Sequence, residues 1–258
     1  VDREEELNRK LRRAEEAEEE EKLEEALSLY NEILQEQPDH GEALLSRGIV
    51  LFRMESFEKA LADFLAAAKL EPEEAHLWYN AGLASARKYD YHRAVEYYHK
   101  ALEIFPEHLK TLYARAEARM DLDEYEAAEE DLRRAAEFLE SRDEEVEEDE
   151  EALFEDIDFR RGLCFERLGR YEEALEVYRR AWNDSEDLVL IPRLVYLSYL
   201  LERDEEVRSW LLHTKDFDEA PPELTIVQAA FHLAAGEKDA AERAIRSLDT
   251  FDEEGLDL

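Results

Sequence analysis

Large apolar, small and polar positions recur along this chain with a long period. In residues 75–108, AHLWYNAGLASARKYDYHRAVEYYHKALEIFPEH, two apolar stripes at helical spacing are separated by a polar break. A shift of 34 residues toward the N-terminus carries Trp78, Gly82, Tyr91, Ala94, Tyr98, Ala101 and Pro106 onto Leu44, Gly48, Phe57, Ala60, Phe64, Ala67 and Pro72. The order large, small, large, small with a closing proline predicts two antiparallel helices per unit. Such a unit cannot bury its apolar face alone and must stack on its neighbours. Glycine inside a helix costs about 1 kcal/mol relative to alanine. Its recurrence at Gly48, Gly82 and Gly162 therefore needs a recurrent packing reason, a close crossing of the two helices. Ala14 and Ala116 hold the matching places in other units, with Ala60, Ala94, Ala128 and Ala174 facing them from the second helix and Tyr91, Tyr98, Tyr171 and Tyr178 filling the space between units.

The same register organises most of the chain. Residues 1–21 read as a Glu-rich helix with Leu7, Leu11, Ala14 and Ala17 on one stripe, followed by Ala26, Tyr30, Ile33 and Pro38. This first repeat, residues 7–40, is degenerate, with Lys10 and Glu15 where Leu44 and Ile49 stand in the second. Residues 41–74 and 75–108 are well-formed repeats, and residues 109–142 make a fourth through Leu112, Ala116, Tyr125, Ala128, Leu132 and Ala135. Glu140 stands where the proline should be, so the second helix is expected to run on. Residues 141–152, SRDEEVEEDEEA, interrupt the pattern, and removing those 12 residues restores it. The run lacks the Asp spacing and central Gly of a calcium loop, and part of it is expected to extend the next helix. Phe159, Gly162, Tyr171, Ala174, Tyr178 and Ala181 then mark a fifth repeat over 155–187. Weaker sixth and seventh pairs follow over 188–221, opened by Pro192, and 222–255, turned at Gly236, with an acidic tail over 250–258. The chain reads as a single solenoid.

The pattern of Trp78, Gly82, Tyr91, Ala94, Tyr98, Ala101 and Pro106 resembles the tetratricopeptide (TPR) repeat. The resemblance implies an all-α, right-handed superhelical α-solenoid of antiparallel helix pairs. It implies an inner surface lined mainly by the first helix of each repeat, which receives an extended peptide or a partner helix. Carried onto this sequence, that surface takes Leu45, Ile49, Phe52 and Arg53 from the second repeat and His76, Tyr79, Asn80, Leu83 and Arg87 from the third. Lys110, Tyr113, Glu117 and Met120 come from the fourth, and Phe159, Leu163, Glu166 and Arg167 from the fifth. Arg53, Arg87 and Arg167 share one register and form a cationic row with a gap at Asp121; the bland reading is that an arginine there only complements a helix C-terminus. The carboxylate clamp of chaperone cofactors is matched by Asn80 and Lys110 alone. Leu45, Ile49 and Ala114 occupy its other three places, which argues against clamp activity.

Charge changes the picture next. Thirty-three Lys and Arg stand against 70 Asp and Glu, a formal net charge of -37. Phosphate neutralisation and attraction to anionic lipid both need clustered cations, so nucleic acid and membrane surfaces are poor partners. Only nine of the basic residues are lysine. That balance resembles proteins of salt-loving microbes, where screening relieves carboxylate repulsion; a simply acidic mesophilic protein fits equally. A basic, aromatic channel in an acidic protein would select an acidic or amphipathic peptide.

Chemistry is sparse. The single cysteine, Cys164, lies in an apolar helical run and is expected to be inert core. The seven histidines form no metal-ligand spacing, and there is no Gly-rich phosphate loop or nucleophile elbow. No cofactor, metal or catalytic residue is assigned. The start, VDREEE, carries no apolar signal segment, which points to the cytoplasm rather than export and to a trimmed or processed N-terminus. The expected function is a noncatalytic protein–protein interaction scaffold that binds a peptide or partner helix in its groove. The alternative is an assembly subunit that binds through its outer face or its ends, with the oligomeric state open.

Overall fold

The computed structural model describes residues 3–141, 148–185 and 188–212. All the helices within them pair in sequence order: α1 (Arg3–Glu19) with α2 (Leu23–Glu36), α3 (Gly41–Arg53) with α4 (Phe57–Leu70), α5 (Ala75–Ala86) with α6 (Tyr91–Ile104), and α7 (Leu109–Asp121) with α8 (Tyr125–Glu140). Next come α9 (Glu148–Arg167) with α10 (Tyr171–Ser185), then a short 3-10 turn over Leu188–Leu190, and α11 (Ile191–Leu200) with α12 (Asp204–Leu212). No strand occurs among the described residues. The chain divides into two compact units, residues 1–142 and 143–258. Of the described helix pairs, the first unit holds four and the second the other two. The predicted seventh pair and the acidic tail lie outside the described residues. Of the acidic insertion, residues 148–152 open α9, as the apolar residues following them suggested. The missing proline at Glu140 also has its expected effect, since α8 has 16 residues against 14 in α6. Pro192 sits in the first turn of α11.

Inside a repeat the two helices meet through one glycine and one ring. A Cβ added at Gly82 would come 2.4 Å from Cε1 of Tyr98, and the same contact is 2.6 Å from Gly48 to Phe64 and 2.3 Å from Gly162 to Tyr178. The glycines are thus flat seats for aromatic faces. Ala60, Ala94, Ala128 and Ala174 are fully buried around that contact, but the ring, not the alanine, lies on the glycine. Tyr98 and Tyr178 are core residues, whereas Tyr171 is 38% exposed. As the first residue of α10 it lies at the mouth of the helix and not on its buried stripe. Tyr30 and Tyr178 spend their hydroxyls on Glu18 (3.2 Å) and Glu166 (2.8 Å), each one turn beyond the small residue that seats the ring. Cys164 is fully buried.

Every described turn within a repeat has the same backbone. Glu21, Glu55, Tyr89, Asp123, Gly169 and Glu202 adopt φ between 57° and 70°. In each, the next residue's N–H reaches back to close the helix, as Ser56 N does to Leu51 O (2.8 Å) and Asp90 N to Ser85 O (3.0 Å). The left-handed residue's own N–H closes the inner bond, from Glu55 to Phe52 O (2.9 Å) and from Tyr89 to Ala86 O (2.8 Å). This is the Schellman termination, in which glycine is favoured because a Cβ is strained there. Five of these six turns bear a side chain, so packing of the following helix imposes the conformation.

Candidate functional site

The first helices of the N-terminal unit, α1, α3, α5 and α7, present equivalent residues one above another. Leu45, Tyr79 and Tyr113 share one register, and all three are half-buried. The next register toward the turn runs Glu15, Ile49, Leu83, Glu117, again half-buried. Leu45, Ile49 and Phe52 pack against the core formed by Leu51, Ala60, Leu61, Phe64, Ala81 and Ala84. Tyr79 and Leu83 pack against Ala94, Tyr98, Ala114 and Ala118. A partly covered apolar strip therefore crosses the second and third repeats, carboxylate-bearing at both ends.

Tyr79 is the most constrained member. Its ring meets Tyr98 at 6.1 Å and stands edge-on to His108 at 5.4 Å. Burial raises its hydroxyl pKa, with Lys110 opposing and Glu117 adding to the shift, so both charges lie near that hydroxyl. Asn80 is half-buried beside it, and His76 is exposed at the helix start, where Nδ1 lies 3.4 Å from Glu74. Met120, one turn beyond Glu117, is half-buried.

The predicted arginine row has distinct environments. Arg53 is exposed and places Nη2 3.4 Å from Glu21 Oε1. Arg87 lies over two rings of the preceding repeat, its Cζ 5.8 Å from the Phe52 centroid and 5.1 Å from that of Phe57. Those rings are themselves edge-to-face at 5.2 Å. At the gap, Asp121 lies near the hydroxyl of Tyr91, the equivalent of Phe57, and adds to the rise in its pKa that burial causes first. In the second unit, Phe159 packs on Tyr178 at 5.9 Å, Leu163 is half-buried and Arg167 is exposed. Glu166 there is taken up by Arg193 Nη1 (2.8 Å) and the Tyr178 hydroxyl. Phe159 and Arg167 belong to a different unit from the other predicted residues.

Two features escaped the sequence reading. In the repeat pattern Phe57 reads only as a structural residue, yet it forms half of the shelf under Arg87. Its signal was available in the 34-residue shift that sets Phe57 and Tyr91 equivalent, and each touches the next repeat's charged residue. The other feature is the exposed stretch of α11, where Tyr196, Tyr199 and Leu200 are 45%, 45% and 38% exposed. They hold the registers of Leu163, Glu166 and Arg167, shortened by one residue, which hid the correspondence. Among the described residues no three His, Cys, Asp or Glu side chains are grouped to hold a metal ion. No described helix is long and apolar enough to cross a membrane.

Comparison with known proteins agrees with this architecture. Tetratricopeptide repeat models match residues 11–68, 46–108, 109–138 and 156–185. The solved C-terminal part of a TPR repeat-containing protein from Cytophaga hutchinsonii superposes with a TM-score of 0.73 at 10% identity, covering 95% of this chain and 96% of that one. YrrB, described as a TPR protein with an unusual peptide-binding site, gives a TM-score of 0.59 at 19% identity over 81% of this chain and 97% of its own. Among curated proteins, human Protein O-mannosyl-transferase TMTC3 is 35% identical over 85 residues, 30% of this chain and 9% of that protein. The chain thus spans about a tenth of that relative's length, and the transferase activity in its name does not carry over. The stacked helix pairs, the glycine-seated rings and the matched repeat models together place this chain in the tetratricopeptide repeat family.

Proposed function

We propose that this chain is a noncatalytic protein-binding scaffold that holds a peptide or partner helix against the first helices of its second to fourth repeats. The observation that carries the reading is the half-buried strip of Leu45, Ile49, Leu83, Tyr79 and Tyr113 on three consecutive helices. Apolar groups in such a strip are supported from below but keep area to bury, about 25 cal/mol per Å² of apolar surface covered. Polar groups along its edges, Asn80, Lys110 and His76, supply orientation. The arrangement matches the general mode in which apolar anchors give affinity and a few placed polar groups give register. An overall charge of -37 adds repulsion of acidic proteins at long range, so an acidic partner must meet a local cation to bind.

The test uses a random peptide library displayed on phage and selected on the full chain. Peptides enriched on the wild type are expected to bind the Ile49→Asp, Leu83→Asp double variant at least tenfold more weakly by fluorescence anisotropy, because each aspartate would be desolvated by the ligand. Equal affinity for the two proteins would remove this face as the binding site.

A further inference from the structure

Arg87 is set apart from the other cations of this face by what it touches. Its guanidinium rests over Phe52 and Phe57. It is exposed, and its side chain donates no hydrogen bond to another described residue. Neighbouring cations are occupied: Lys88 lies 3.3 Å from Glu58, and Arg53 3.4 Å from Glu21. Two rings thus back a guanidinium whose N–H donors are left unspent on other described residues. A planar fork of this kind binds a carboxylate through two parallel N–H···O bonds, and support from the rings lowers the entropy lost on doing so.

The registers on either side restrict where such a carboxylate can lie. At the position of Arg53 and Arg87, the first repeat has Glu19 and the fourth has Asp121. At the position of Ile49 and Leu83 they have Glu15 and Glu117. Burial and the neighbouring Glu42, Glu19 and Glu18 push the Glu15 carboxyl above its usual pKa, so that end of the face already carries more negative charge than it solvates well. The zone that welcomes an anion is two repeats wide and has an apolar floor. We propose that Arg87 is the carboxylate receptor of the first-helix face, and that the segment bound is one whose Asp or Glu sits beside an apolar side chain with no further acid on either flank. Helices pack at about 8–10 Å and an extended chain advances about 3.3 Å per residue. The excluded flanks therefore begin about three residues from the central carboxylate on the fourth-repeat side and about five to six residues from it on the first-repeat side, which lies two repeats away.

This inference rests on the peptide-binding reading above, and its test separates the two. The same displayed library is selected on wild type, Arg87→Gln, Arg87→Lys and Arg87→Glu, with thermal melts to confirm folding. Wild type should enrich peptides with one Asp or Glu next to Leu, Ile or Phe, and with acids depleted about three residues away on one side and about five to six on the other. Their affinity should fall roughly tenfold or more on Arg87→Gln. Arg87→Lys should recover part of the loss, and Arg87→Glu should enrich Lys or Arg at the same peptide position. Phe57→Leu, which keeps the charge but removes half the shelf, should give an intermediate loss. Enriched peptides that are lost on Ile49→Asp, Leu83→Asp but show no acidic preference, or keep it in Arg87→Gln, would overturn the receptor assignment while sparing the face. Enrichment unaffected by either set of variants, or no enrichment on wild type, would overturn both.

Discussion

The third and fourth repeats have the same pair of helices and the same left-handed turn, yet they fill the seam between their helices by opposite chemistry. The third seats Tyr98 on Gly82, with Ala81 beside it. The fourth has Ala116 and Leu132 at the seat and, next to it, an ion cluster. Arg115 donates from Nε and Nη2 to the two oxygens of Asp131 at 2.8 and 2.6 Å, and Arg119 Nη1 donates to Oδ2 at 2.6 Å. Asp131 is 1% exposed and Arg115 5%. The second repeat has the same fork, Arg47 to Asp63 at 2.7 Å for both bonds, with a third bond of 2.9 Å to Asn31 of the first repeat. Arg115 reaches back in the same way to His99, 3.4 Å away in the third. The fork ties a repeat to itself and to the one before it, so the second and fourth repeats are clasps and the third is a packed wedge. The comparison separates what the fold demands, a flat seat and a left-handed turn, from what it tolerates in the remaining volume.

The sharpest way to break this contrast is to remove the shared carboxylate. Asp131→Ala leaves two arginines at one place without their counter-charge, and breaking a buried pair in this way costs about 3–5 kcal/mol. Urea denaturation followed by circular dichroism should show the fall. Adding Arg115→Leu and Arg119→Leu should restore most of it, since an apolar filling of similar volume has no desolvation cost. A cost for Asp131→Ala below 1 kcal/mol would mean that water reaches the cluster and that the clasp is not an interior feature.

In the wedge repeat the corresponding insult is steric. Gly82→Leu drives a branched side chain into the Tyr98 ring, and overpacking of this kind costs about 1–3 kcal/mol. The same denaturation measurement on Ala116→Leu should give a smaller loss, because Leu132 can change rotamer where the seated ring of Tyr98 cannot. Equal losses at the two positions would place the constraint in the crossing of the helices and not in the ring.

These two repeats also show what was readable in the residues. Glycine, ring, alanine and proline recur every 34 residues, and that periodicity announces helix pairs because small and large side chains interlock at fixed places. The clasp was not read, because arginine and aspartate on a helix look like a solvated face. Its signal was a spacing: Arg47 and Asp63, and then Arg115 and Asp131, are both 16 residues apart and two periods removed from each other. The strained turns were hidden for a different reason. Glu55, Tyr89 and Asp123 are not glycines, so no local preference marks them, and only the packing of the next helix puts them at positive φ. On the candidate face, the arginine row was legible by register. The distinction within it was not, since Phe57, which holds Arg87, comes from the second helix of another repeat.

Those turns supply the smallest and cleanest test, because they alter no contact in either seam. Tyr89 and Asp123 sit at φ 61° and 60° in the third and fourth repeats. A left-handed residue with a Cβ costs roughly 1–2 kcal/mol relative to glycine, less for aspartate, whose short side chain tolerates the region. Tyr89 is 81% exposed, so little packing is lost when its ring is removed. Among the described residues its ring meets Tyr91, edge-on at 6.3 Å. Tyr89→Gly should therefore stabilise by about 1 kcal/mol and Asp123→Gly by less, the latter reduced further because Asp123 Oδ1 accepts a hydrogen bond from the Tyr125 hydroxyl at 2.6 Å. Glycine also adds freedom to the unfolded chain, which trims both gains. The control is Gly169, already glycine at φ 70° with open space around its Cβ position. Gly169→Ala should destabilise for conformational reasons alone. If Tyr89→Gly lowers the urea midpoint, the exposed ring is making a stabilising contact within the chain that outweighs the backbone strain, and the turn would not be a site of net strain.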